Sequence, residues 1–88
     1  MVRRHVVVHG FVQGVGFRIF VASRARARGV SGWVRNRYDG TVEAVLEGER
    51  DAVDAVIVAC ENGPRSADVS GVEVSEEEPE GLRGFEIR

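Results

Sequence analysis

Apolar and polar positions alternate along most of this 88-residue chain, and the period of the alternation changes from one stretch to the next. The run Val6, Val7, Val8 lies within a stretch, Arg4–His9, that reads as a strand. From Phe17 to Arg28 the period lengthens. Phe17, Phe20, Val21 and Ala25 recur at helical spacing with arginines on the opposite side. Gly29 ends this helix. A second strand covers Val30–Asn36, and residues 37–40 close on Asp-Gly, a strong hairpin signal. Thr41–Glu47 alternates again, Val42, Ala44 and Leu46 against Thr41, Glu43 and Glu47. Arg50–Glu61 predicts a second helix, with Asp51 and Asp54 in its first turns, where the helix dipole favours acids. Asn62-Gly63-Pro64 stops it. Val69–Ser75 reads as a strand, residues 76–81 as an acidic loop, and Phe85–Arg88 as a short closing strand.

The order βαββαβ plus a terminal strand predicts an α+β fold of the ferredoxin-like, split-βαβ kind, with two helices on one face of an antiparallel sheet. Residues 1–88 have room for one core and are expected to form a single domain. In this connectivity strand one pairs with strand three at the centre of the sheet, beside strand two. The end of strand two can then approach the loop that leaves strand one. The fold hosts many activities and names none of them.

Charge adds an asymmetry. Residues 1–40 carry a net +7 and residues 41–88 a net −9, which together give the overall −2. The basic half suits an anionic ligand. All twelve basic residues are arginine, so no mechanism that needs a lysine is open to this chain. The single cysteine, Cys60, excludes an internal disulfide framework and a paired-cysteine metal or redox motif, and fits a cytoplasmic location. It lies in an apolar helical segment and is expected to be a small core residue. No apolar run approaches the ~20 residues that cross a bilayer. The basic start and short apolar run at the N-terminus read as a first strand rather than a secretory leader.

The chemistry concentrates in GFVQGVGFRIF, residues 10–20. Gly10, Gly14 and Gly16 permit positive φ and close approach of a ligand to the backbone. Successive N–H groups in such a turn, the start of the following helix and the guanidinium of Arg18 all suit one ligand, a phosphoryl-type oxyanion. On residue chemistry alone, this cradle and a plain glycine-rich connector are equally good readings. A Walker A loop fails for want of lysine, and the dinucleotide fingerprint fails for want of its third glycine. Gln13–Phe20 resembles an RNA-recognition octapeptide, but that motif belongs on the third strand, and Val15 replaces a stacking aromatic. A second position, Asn36, ends strand two. Its carboxamide could hold a water, or simply precede a hairpin, where asparagine is common.

Residues 8–18, VHGFVQGVGFR, resemble the first signature of the acylphosphatases. Gly32-Trp33-Val34-Arg35-Asn36, followed by Gly40, Val42 and Gly48, resembles the second. The likeness continues through Gly63-Pro64 to Gly84-Phe85-Glu86-Ile87. It implies hydrolysis of acyl phosphates to a carboxylate and inorganic phosphate. Arg18 is implied as the phosphate-binding arginine and Asn36 as the residue orienting the attacking water. The backbone of Phe11, Val12, Gln13, Gly14, Val15 and Gly16 is implied as the cradle. An acyl phosphate has a good leaving group, so positioning and charge stabilisation suffice. No metal or cofactor, no nucleic-acid or membrane partner, and a monomer are expected. Two other readings compete. One is a relative of the acylphosphatase-like domain of carbamoyl-transferring hydrogenase-maturation proteins, against which the short length and the lack of a zinc-finger-like extension count. The other is a non-catalytic anion- or RNA-binding module. His5 and His9 share a face of strand one and read as structural or exposed. Arg24, Arg26 and Arg28 read as a solvated helix face, and Glu76-Glu77-Glu78 as a solvated loop.

Overall fold

The computed structural model describes residues 1–88. The chain runs β1 (Val2–Phe11), α1 (Phe17–Ala27), β2 (Ser31–Asn36), β3 (Val42–Gly48), α2 (Arg50–Asn62), β4 (Asp68–Glu77) and β5 (Phe85–Ile87). The five strands form one sheet in the order β4-β1-β3-β2-β5. The expected ferredoxin-like arrangement is therefore present, with β1 and β3 paired in its centre. The closing strand departs from the antiparallel rule. β5 lies parallel to β2, Val34 opposite Ile87, because it reaches the sheet edge from the same direction as its neighbour.

Alternation assigns the two faces of the sheet. Val6 and Val8 of β1, Val34 of β2 and Val42, Ala44 and Leu46 of β3 face the helices. There they meet Phe17, Val21 and Ala25 of α1 and Val53, Val56 and Cys60 of α2 in one buried cluster. Burial pushes the Cys60 thiol up to about 12, so it sits in the core as an unreactive thiol.

The other sheet face carries no helix, yet it is not simply wet. β3 is buried along its whole length, including Glu43 and Glu47, the polar positions of its alternation. Glu47, only 1 % exposed, accepts from the main-chain N–H groups of Glu80 (3.0 Å), Gly81 (2.7 Å) and Leu82 (2.8 Å), and from Arg3 Nη1 at 3.2 Å. The loop from β4 to β5 thus folds over this edge and is pinned by a single carboxylate. Burial pushes the Glu47 carboxyl upward, but these donors together outweigh it and hold the group below the ordinary carboxylate range. At Glu43 burial likewise raises the pKa and is outweighed by His5 Nε2 (2.6 Å) and Arg35 Nε (2.5 Å), so the net shift is downward.

Two strand ends run further than the sequence reading, each for its own physical reason. β4 extends to Glu77 instead of ending at Ser75, because Arg3 stands opposite Glu77 and Arg4 opposite Glu76. These cross-strand ion pairs carry the ladder two residues further. Of the run Glu76-Glu77-Glu78, two members are therefore paired rather than merely solvated. β1 extends beyond His9 through an irregularity in register at His9/Gly10, which keeps Phe11 in the ladder opposite Asp68.

Candidate active site

The segment between β1 and α1 is built from two left-handed backbone positions. Gly14 has φ 74° and Gly16 φ 77°, a region that costs an L-residue roughly 1–2 kcal/mol. Gly16 is the N-cap of α1 and offers no side chain to the helix start. The first helical hydrogen bond runs from Phe20 N–H to Gly16 O at 3.0 Å. None of the seven amides from Gln13 to Ile19 donates to a protein acceptor. No acidic residue stands in the first turn of α1 to occupy them. Seven consecutive free donors at the positive end of a helix are an arrangement suited to an anion.

Side chains hold this segment in place. Gln13 Nε2 donates to Arg37 O (2.7 Å) and to Thr41 O (2.9 Å), which ties the loop to the β2–β3 hairpin. Ser66 Oγ donates to Val15 O at 2.8 Å from the opposite side. The hairpin is itself fixed by Asp39, whose Oδ1 accepts from the hydroxyl and the amide of Thr41 at 2.6 and 3.0 Å. The Thr41 hydroxyl bond, then its amide bond, lower the Asp39 pKa.

These contacts bring the two sites of the sequence together. A cavity of about 320 Å³ is lined by Val12, Gly14, Gly16, Phe17, Arg18, Ile19, Asn36 and Ile87. Arg18 at the start of α1 and Asn36 at the end of β2, a helix and a strand apart in the chain, share it. Arg18 Nη1 donates to Arg88 O at 3.0 Å and forms no ion pair with a carboxylate. Asn36 Oδ1 is buried and accepts from no protein donor, which is unusual for a buried polar atom. Of the expected cradle residues, Val12, Gly14 and Gly16 line the cavity. Phe11 does not: it is the last residue of β1, 64 % exposed. Gln13 and Val15 also stay off the cavity wall. The Gln13 side chain acts as the tie to the hairpin, and Val15 packs against the core. No three His, Cys, Asp or Glu side chains come together as a ligand set for a metal ion.

The sequence model of the acylphosphatase family matches residues 4–87. The chain belongs to the acylphosphatase family. It is 56% identical over 86 residues to the acylphosphatase of Haloquadratum walsbyi, spanning 98% of this chain and 92% of that protein. The crystal structure of the acylphosphatase from Bacillus subtilis is similar at a TM-score of 0.97 and 40% identity, covering 100% of this chain and 99% of that one. HypF of T. kodakarensis is similar at a TM-score of 0.86 and 34% identity, but the match covers only 12% of that chain. As an acylphosphatase the chain is a hydrolase, and its cavity, at the junction of loop, hairpin and closing strand, is the place to look for the chemistry. Three contributions had no signal in the sequence. Ile87 and Arg88 reach the site only because β5 runs parallel to β2, and the side-chain role of Gln13 is hidden in a loop otherwise read for its backbone.

Proposed function

We propose that residues 1–88 act as a single catalytic domain that hydrolyses acyl phosphates with Arg18 and Asn36 as its catalytic residues. The free amides of residues 13–16 and of the first turn of α1, together with the Arg18 guanidinium, receive the phosphoryl oxygens. Asn36 Oδ1 accepts a hydrogen bond from the attacking water. Water oxygen bonds to phosphorus, the bond from phosphorus to the bridging acyl oxygen breaks, and its electron pair leaves on the carboxylate. One proton passes from the water to solvent, and inorganic phosphate is the second product. A carboxamide is no base, so it orients the water without deprotonating it. The good leaving group makes a strong base unnecessary. The observation that carries this reading is that Asn36, whose Oδ1 is buried without a protein donor, lines the same cavity as Arg18.

On this reading the enzyme works as a cytoplasmic monomer, with no metal, cofactor or nucleic acid. No helix is long and apolar enough to cross a membrane. Purified protein is expected to release phosphate from benzoyl phosphate at an undiminished rate in EDTA. Folded protein without turnover above background would refute the assignment. Carbamoyl phosphate, also a mixed anhydride of phosphoric acid, assayed beside benzoyl phosphate, separates a general acyl phosphatase from a carbamoyl-specialised relative.

A further inference from the structure

Two large aliphatic side chains on the cavity wall stand outside the core. Ile19 is 68 % and Ile87 41 % exposed, and neither belongs to the core cluster. Yet both line the cavity with Arg18 and Asn36. The helix geometry directs them toward each other. Ile19 and Arg26 are seven residues apart in α1, two turns, so they share a face. Arg26 Nη2 donates to Phe85 O of β5 at 2.8 Å, which fixes that face over the closing strand. At the other end Arg18, beside Ile19, donates to Arg88 O, beside Ile87. Within β5, Ile87 lies two residues from buried Phe85 and so points to the helix side of the sheet.

In-line displacement at phosphorus places the attacking and leaving oxygens on opposite sides. Asn36 also borders a second cavity, formed by residues 35–39 of the hairpin. With the water held by Asn36 at the hairpin end, as in the reading above, the leaving carboxylate points away from it, toward the wall of Ile19 and Ile87. That wall holds no charged side chain except Arg18. The hairpin arginines are already committed, Arg35 to Glu43 and Arg37 to Asp39. We propose that Ile19 and Ile87 form the acyl-group subsite and select acyl phosphates whose acyl portion is apolar, aromatic or branched aliphatic, over those with small or charged ones. The proposal rests on the placement of phosphate and water given above.

Its test uses benzoyl phosphate and acetyl phosphate as paired substrates. It also uses benzoylphosphonate and acetylphosphonate, analogues with a non-hydrolysable phosphorus–carbon bond, as paired ligands. In wild type, kcat/KM and affinity favour the benzoyl member of each pair. In Ile19→Ala and in Ile87→Ala that preference falls about three- to tenfold, less than the loss seen in a closed pocket because the wall is partly open to water. Ile19→Leu restores most of it. Equal losses on both members, or inhibition by inorganic phosphate weakened in step with benzoylphosphonate, would show that the isoleucines only brace Arg18 and would overturn the subsite. An unchanged preference overturns it as well. The phosphonates keep the two readings distinguishable. Selective binding of benzoylphosphonate without turnover of either substrate upholds the subsite and refutes the catalytic assignment.

Discussion

Arg3, buried, and Arg18, half-buried, both belong to the basic N-terminal half, and their surroundings are opposite. Arg3 lies on the helix-free face of the sheet among Glu47, Glu77 and Glu80, at 3.2, 2.8 and 3.8 Å. Arg18 lies at the mouth of the cavity with one main-chain oxygen for a partner and seven free amides beside it. The open sheet face gives its charged groups partners: Arg35 and the His5 imidazole meet Glu43, the His9 imidazole meets Glu73, and Arg88 meets Glu86. The loop end gathers positive potential and leaves it unanswered. Where charge is satisfied internally, arginine serves the fold. Where the chain withholds the counter-charge, it leaves room for a ligand to supply it.

The sharpest break in that contrast is Arg18→Ala. Loss of the only side-chain cation on the cavity is expected to lower kcat/KM for an acyl phosphate by about 10³-fold, the scale of losing a key charge-stabilising donor. Urea denaturation should move little, since Arg18 carries no ion pair to lose. Glu47→Gln is the mirror experiment. It removes a buried charge from Arg3 and weakens the acceptor for three amides, and should cost about 3 kcal/mol of stability in urea. The pH dependence has a definite sign. Because the folded Glu47 and Glu43 carboxyls lie below their ordinary value, their stabilisation is complete above about pH 4.3 and is lost as pH falls. An acid titration of stability should therefore be flatter in Glu47→Gln than in wild type. Asn36→Ala comes next, with kcat reduced about 10²-fold, in the range of removing a positioning group. Competitive inhibition by inorganic phosphate should persist, since the water-holding residue does not hold the anion. The smallest effect is His9→Ala on the exposed hydrogen bond with Glu73, within about 0.5 kcal/mol in the same urea assay.

Most of the fold was legible because strands and helices of this chain keep their periods. Phe17, Val21 and Ala25 mark the buried stripe of α1, and Val42, Ala44 and Leu46 the core face of β3. The opposite face of β3 was not legible. Alternation places Glu47 on the far side of the sheet but does not say that a loop thirty residues later will cover it. Arg18 and Asn36 were legible as candidates because a glycine turn before a helix and an amide at a strand end each have a chemical use. Their convergence is a property of the sheet order. Ile87 was the hardest to read: three residues of strand give too short a pattern to fix a face, and its meaning depends on the parallel pairing with β2.

The Gln13 carboxamide has two hydrogens to give, and it gives one to each of two carbonyls across the gap between loop and hairpin. Hydrolytic deamidation at this position would replace that donor pair with a carboxylate aimed at two lone-pair-bearing oxygens. A clasp would become a wedge. The groups holding phosphate and water would all survive such chemical ageing, and only the distance between them would be lost.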